Sequence, residues 1–131
     1  MSSPAECAEY AQSALDHFQA NGGLNATCSV GERAHRAGKT LASYAEATDQ
    51  QNEPAEEVTR DLITDLFHLA DERSVTPEEL LRAAETDTPE DAGSAVDIVR
   101  LLQGLRDSTD GWETVTDWAR SCHAEEAGTS S

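Results

Sequence analysis

Lysine is almost missing from this chain: Lys39 is the only one in 131 residues, and the other eight bases are arginine. Strand formers are scarce too. Valine and isoleucine are few, and no run alternates with a period of two, which argues against a sheet. Only Tyr10, Phe18, Tyr44, Phe67, Trp112 and Trp118 are aromatic, so alanine and leucine must fill most of any core. No apolar stretch approaches the roughly 18 residues that a membrane-spanning helix needs. The cysteines, Cys7, Cys28 and Cys122, are odd in number and far apart, which excludes a disulfide framework and predicts free thiols. CxxC and HxxxH spacings are absent, so a zinc site would have to gather residues from distant segments. The opening MSSPAECAEY carries no basic, apolar leader, and the expected compartment is the cytoplasm.

Charge is what the chain has in excess. There are 26 acids against nine bases, a formal net of −17. Residues 1–48 hold five acids and three bases, a net of −2, whereas residues 49–131 hold 21 acids and six bases, a net of −15. Such a surface repels nucleic acid and anionic membrane and attracts cations or basic proteins. It is equally the surface of a salt-adapted protein whose acidity serves no partner. A nucleic-acid mimic would concentrate its acids on one face, whereas a salt-adapted surface would be acidic all round.

The fold class is predicted as all-α: a compact bundle of five to six helices at about 4–20, 30–50, 53–73, 77–85, 90–107 and 111–123. Residues 1–123 form a single domain in this reading, and 124–131 a disordered tail. Helix starts are written plainly. Ser3-Pro4-Ala5-Glu6 and Ser29-Val30-Gly31-Glu32 have the form of capping boxes. Asn52 or Glu53 opens the third helix. Thr76-Pro77-Glu78-Glu79 is a box with proline in its first turn, and Val75 is placed to staple onto Leu80. Thr88-Pro89-Glu90-Asp91 and Gly93-Ser94 offer two starts for the fifth helix. The third carries Val58, Leu62, Ile63, Leu66, Phe67, Leu69 and Ala70, which span roughly half its circumference at 100° per residue, and is the predicted centre of the core. Trp112, Val115, Trp118, Ala119 and Cys122 are the predicted buried side of the last.

GERAHRAGKT, residues 31–40, ends as a phosphate-binding loop does. Six residues rather than four separate Gly31 from Gly38, no hydrophobic strand precedes it, and its apolar spacing is helical. What it leaves is Arg33, Arg36 and Lys39 along one side of a helix, a candidate anion-binding or docking patch unless they pair with neighbouring acids.

On the third helix Glu57, Asp61, Asp65, His68 and Glu72 fall within roughly an 80° arc. Like charges four apart cost a few tenths of a kcal/mol per pair. A divalent cation, an arginine from another helix or high salt would compensate them. Glu57, Asp61 and Asp65 are therefore candidate metal ligands, and their oxygens suit Mg²⁺. The alternative is an exposed acidic face. Cys7, on the apolar side of the first helix, reads as core rather than nucleophile.

The run DLITDLFHLADE, residues 61–72, resembles a D-L-x-x-D-L-x-H-x-A-D segment of small uncharacterised helical proteins of phages, high-GC bacteria and halophilic archaea. It is also similar, more distantly, to the MazG-type all-α nucleotide pyrophosphohydrolases. Asp61-Leu62, Leu69-Ala70 and Pro77-Glu78-Glu79-Leu80-Leu81 fall in the register of that family. The resemblance implies a Mg²⁺-dependent hydrolase of nucleoside triphosphates, with Glu57, Asp61 and Asp65 as metal ligands and Arg33, Arg36 or Lys39 on phosphate. The chain departs from the family pattern at Val58, where an acid is expected three before Asp61, and at Glu85, where asparagine is expected. The partner acid pair has only Glu6/Glu9 or Glu53/Glu56 as candidates.

The leading expectation is a non-enzymatic acidic helical interaction protein, of viral or mobile-element type, that binds another protein, nucleic-acid mimicry being one version. It implies no cofactor, no direct nucleic-acid contact and no membrane. Leu101, Leu102, Leu105 and Trp112 are candidates for a homodimer face. The pyrophosphohydrolase-like enzyme, with Mg²⁺ its only implied cofactor, and the salt-adapted protein are the alternatives.

Overall fold

A computed structural model describes residues 4–22 and 29–128. Among them lie six α-helices and no strand: α1 (Pro4–Ala20), α2 (Val30–Ala47), α3 (Ala55–Glu72), α4 (Pro77–Glu85), α5 (Val96–Ser108) and α6 (Trp112–Gly128), with a 3-10 segment, Pro89–Ala95, leading into α5. The all-α bundle predicted from the apolar spacing is the fold.

Helix α3 is its axis. Leu62, Ile63, Leu66 and Phe67 are fully buried, and each such side chain contributes about 1.5–3 kcal/mol by leaving water. It packs most extensively on α1, through Ala8, Ala11, Leu15 and Phe18 of the core, and next on α6. Helices α2 and α5 form the other closely packed pair. There a Cβ on Gly104 would stand 3.0 Å from Ala37 Cβ and 3.2 Å from the Arg33 carbonyl oxygen, so glycine lets the two backbones meet. Arg73 fastens the end of α3 to the start of α5 by binding Asp97 at 2.6 Å and the Ser94 carbonyl at 3.1 Å. Arg106 of α5 reaches the Ala84 carbonyl at the end of α4.

The caps follow the sequence in part. Thr76 makes the full box, its hydroxyl accepting from Glu79 N–H and the Glu79 carboxylate accepting from Thr76 N–H, both at 3.2 Å. Ser29 accepts from Glu32 N–H at 3.1 Å. The predicted cap at Ser3 lies outside the described residues. Helix α3 opens at Ala55 rather than at 53, because Pro54 stands before it with ψ 142°, outside the helical region. The two candidate starts before α5 are both used. Thr88-Pro89 begins the 3-10 segment, Gly93 breaks it with φ 57°, and the α-helix begins after Ala95 rather than near residue 90.

Three helices end on a left-handed residue that is not glycine. Asp49, Ser74 and Asp87 take left-handed φ of 59°, 61° and 56° just past α2, α3 and α4. In each case the next N–H reaches back to a carbonyl in the last turn: Gln50 to Ala45 at 2.7 Å, Val75 to Ala70 at 3.0 Å, Thr88 to Ala83 at 2.9 Å. This closure satisfies carbonyls that the helix end leaves open, and it cuts α2 at Ala47, short of the predicted 50.

Helix α6 runs five residues past its predicted end at 123, to Gly128. Val115 and Ala119 are buried as expected, but Trp118 is 40% exposed. The Arg60 guanidinium lies 4.0 Å over its ring, so the tryptophan sits at the edge of the α3 contact rather than within it.

Candidate functional site

Polar groups are buried where α1, α3 and α6 meet the end of α2. Asp65, at mid-helix on α3, is only 6% exposed, and His68 one turn on is 3% exposed. The outward acidic face expected of this helix is thus folded inward at its centre. Helical spacing explains why: Asp65 and His68 share a side with Asp61 and Glu72, but α1 and α6 close over the middle of that side and leave its ends open.

Asp65 accepts a hydrogen bond from the Tyr44 hydroxyl, which α2 delivers from its last turn. The Cys7 thiol of α1 lies against Asp65 and against Glu126 of α6, with Sγ 4.0 Å from Oε2. His68 Nε2 is 2.5 Å from the same Glu126 oxygen. Beyond His68, its ring meets that of His123 at 4.8 Å between centroids. His123 Nε2 is in turn 2.7 Å from Asp71 Oδ2. Four helices therefore bring together Cys7, Tyr44, Asp65, His68, His123 and Glu126.

Burial dominates the electrostatics. It pushes the Asp65 carboxyl up to about 7, against the hydrogen bonds from Tyr44 and Cys7, which pull it down; Asp61 and Glu126 push it further up. Burial and then the Asp65 carboxylate push the Cys7 thiol up to about 12. The same two causes raise the Tyr44 phenol far above its usual range. Every one of these groups resists adding negative charge to a place that already has it.

Above the cluster opens a cavity of about 360 Å³, walled by Cys7, Tyr10, Tyr44, Asp61, Asp65 and Glu126, with Thr48, Gln50 and Thr64 completing it. None of these lining residues is a lysine or arginine. Asp61 accepts from Gln50 Nε2 at 2.6 Å and from Arg60 Nη2 at 2.7 Å on its outer side.

Of the candidate ligands Glu57, Asp61 and Asp65, the last two line this cavity, and Glu57 is half-buried at the start of α3, outside it. Two other groups of three bring their ligand atoms within 4.8 Å of one another: Cys7, His68 and Glu126, and His68, Asp71 and His123. Cys7, His68 and Glu126 stand on three helices with no local spacing to betray them, and the other group joins His68 and Asp71, three apart on α3, to His123 from the distant α6. Cys7 reads from its helix as core and is indeed buried, but its acidic neighbours come from other helices, and Glu126 lies in the stretch 124–131 that the sequence predicts to be disordered.

Arg33, Arg36 and Lys39 do not line the cavity. Arg36 pairs with Glu32 of its own helix at 3.8 Å and lies against Gly22. Arg33 is half-buried beside α5, and Lys39 is exposed. No protein family, curated protein or solved structure matches this chain.

Proposed function

We propose that this chain acts by binding, and that what it binds is a small cation in the cavity between α1, α2, α3 and α6. The observation that carries this is a cavity walled by the carboxyl groups of Asp61, Asp65 and Glu126 with no basic side chain in its lining. A buried carboxyl costs stability unless it is matched by hydrogen bonds or opposite charge. Tyr44 and Cys7 match Asp65 only in part, since its carboxyl remains raised to about 7. A cation among the three acids removes that mismatch and favours their ionised forms.

Binding is preferred over pyrophosphohydrolase chemistry on the placement of charge. Phosphate transfer needs several carboxylates to hold metal and basic groups to hold the phosphates. Here Arg33, Arg36 and Lys39 stand away from the carboxylates that line the cavity.

Titration calorimetry with Mg²⁺, Mn²⁺ and 1,4-diaminobutane tests the reading. At least one of them is expected to give saturable heat near one equivalent. The Asp61→Asn, Asp65→Asn double variant loses that heat, and Glu85→Gln, on the exposed side of α4, keeps it. Absence of heat with all three, or heat unchanged in the double variant, rejects the cavity as a cation site.

A further inference from the structure

Cys7, His68 and Glu126 offer a thiol, an imidazole and a carboxylate from three different helices, α1, α3 and α6. We propose that they form a transition-metal site of the Zn²⁺ or Co²⁺ class, with a fourth coordination position open to the cavity. This deepens the cation-binding reading and rests on it.

The donor set argues for the class. Mg²⁺ and Ca²⁺ take oxygen ligands in sixes to eights, whereas a thiolate, an imidazole and a carboxylate together suit a tetrahedral, borderline-soft ion. The geometry is close to what such an ion needs. With metal–ligand distances of about 2.0–2.3 Å, tetrahedral neighbours stand about 3.6 Å apart for sulfur and oxygen and about 3.4 Å for nitrogen and oxygen. Here Sγ and Oε2 are 4.0 Å apart, and Nε2 and Oε2 are 2.5 Å apart. The short edge is about 0.9 Å below the tetrahedral value, and Glu126, 38% exposed, is the ligand that would have to turn to open it.

The site also has surrounding support. His123 packs on the His68 ring, and Asp71 holds His123, which limits how the imidazole turns. Cys7 and Glu126 both line the cavity, so an ion held between them is reachable from solvent and keeps one position for water. Uptake is an exchange without redox change. The proton that His68 Nε2 shares with Glu126 is given up to solvent while Nδ1 takes one, so that Nε2 is free to bond the metal. The thiol gives its proton to solvent as sulfur bonds the metal, and the net release is one H⁺ per ion bound.

The group His68, Asp71 and His123 shares the imidazole, but Asp71 is 45% exposed and the group has no sulfur, so it fits the ion less well.

Cobalt chloride, added to the full chain under reducing conditions, reads the site directly. The expected result is a one-to-one complex with visible d–d bands of tetrahedral intensity, a near-ultraviolet thiolate-to-cobalt charge-transfer band and release of one proton. Cys7→Ser loses the charge-transfer band, and Glu126→Gln, a surface-reaching change that spares the core, weakens binding at least tenfold. Cys28→Ser and Cys122→Ser keep the band. Far-ultraviolet circular dichroism confirms that each variant is folded. A band that follows Cys28 or Cys122 overturns the proposal. So does a cobalt complex without the band that Asp71→Asn abolishes, which moves the ion to the outer group. Calorimetric heat with Mg²⁺, Mn²⁺ or the diamine but no cobalt complex overturns this inference and leaves the cation cavity standing. Silence in both experiments removes both.

Discussion

At the residue scale the decisive group is Asp65. The same helical arc that marked it in the sequence as an acid also holds Asp61 and Glu57, and nothing in the local spacing says which of the three is buried. The closing elements decide it: α1 brings Cys7, α2 brings Tyr44 and α6 brings Glu126 over the middle of α3. Burial raises the carboxyl from its ordinary value near 4 to about 7, with Tyr44, Cys7, Asp61 and Glu126 facing it. The folded state therefore holds a proton that the unfolded chain releases. Its contribution to stability is fully present below about pH 4, falls as pH rises and is lost above about pH 7. In metal-free protein, urea melts between pH 4 and pH 8 should show this decline, and Asp65→Asn should flatten it. A slope unchanged in the variant would mean that the carboxyl titrates normally. His68 was legible as polar but not as buried, and Cys7 was legible as buried but not as a neighbour of acids. Both gaps have one cause: a residue's own helix fixes its side, whereas its surroundings are set by helices far away in sequence.

At the scale of elements the sequence is easier to read at helix starts than at helix ends. Thr76 and Ser29 announce their helices because capping needs a side-chain oxygen at one position, and both make that bond. The ends at Asp49, Ser74 and Asp87 carry no glycine, yet all three adopt the left-handed conformation that glycine takes most readily. The backbone closure and the burial of the following residue, as at Val75, hold them there. Ser74→Gly is therefore expected to raise stability by about 1 kcal/mol, by relieving the strain of a side chain at positive φ. Gly104→Ala should act in the opposite sense. Alanine favours a helix by about 1 kcal/mol over glycine, but its methyl would stand 3.2 Å from a backbone oxygen of α2 that has little room to retreat. The expected net result is a loss of about 1 kcal/mol, since overpacking typically costs 1–3 kcal/mol. Denaturant midpoints for the two variants check both signs. Only the first of these positions is a local matter. The second depends on the α2–α5 pairing, which no helical spacing within α5 reveals.

At the scale of the whole molecule the charge divides into two parts. Exposed acids stand on α1 (Glu6, Glu9), α2 (Glu32, Glu46), α3 (Glu56, Glu72), α4 (Glu78, Glu79) and α6 (Glu113, Asp117). The exposed carboxylates are thus shared among five helices rather than carried by one. The cavity acids are different, because they converge from two helices on one buried carboxyl, that of Asp65. The all-α class, the central place of α3 and most helix starts were legible in periodicity and capping. The site was legible only as a stripe of acids on one helix, because its remaining walls come from α1, the end of α2 and the last turns of α6. Crystals of the full chain grown with Mn²⁺ or Co²⁺, measured at the metal's absorption edge, test the central claim most directly. The account predicts one strong anomalous peak inside the cavity, within bonding distance of at least two of Cys7, Asp61, Asp65, His68 and Glu126. Anomalous peaks confined to the exposed acids of α1, α4 or α6, with the cavity holding none, would contradict it.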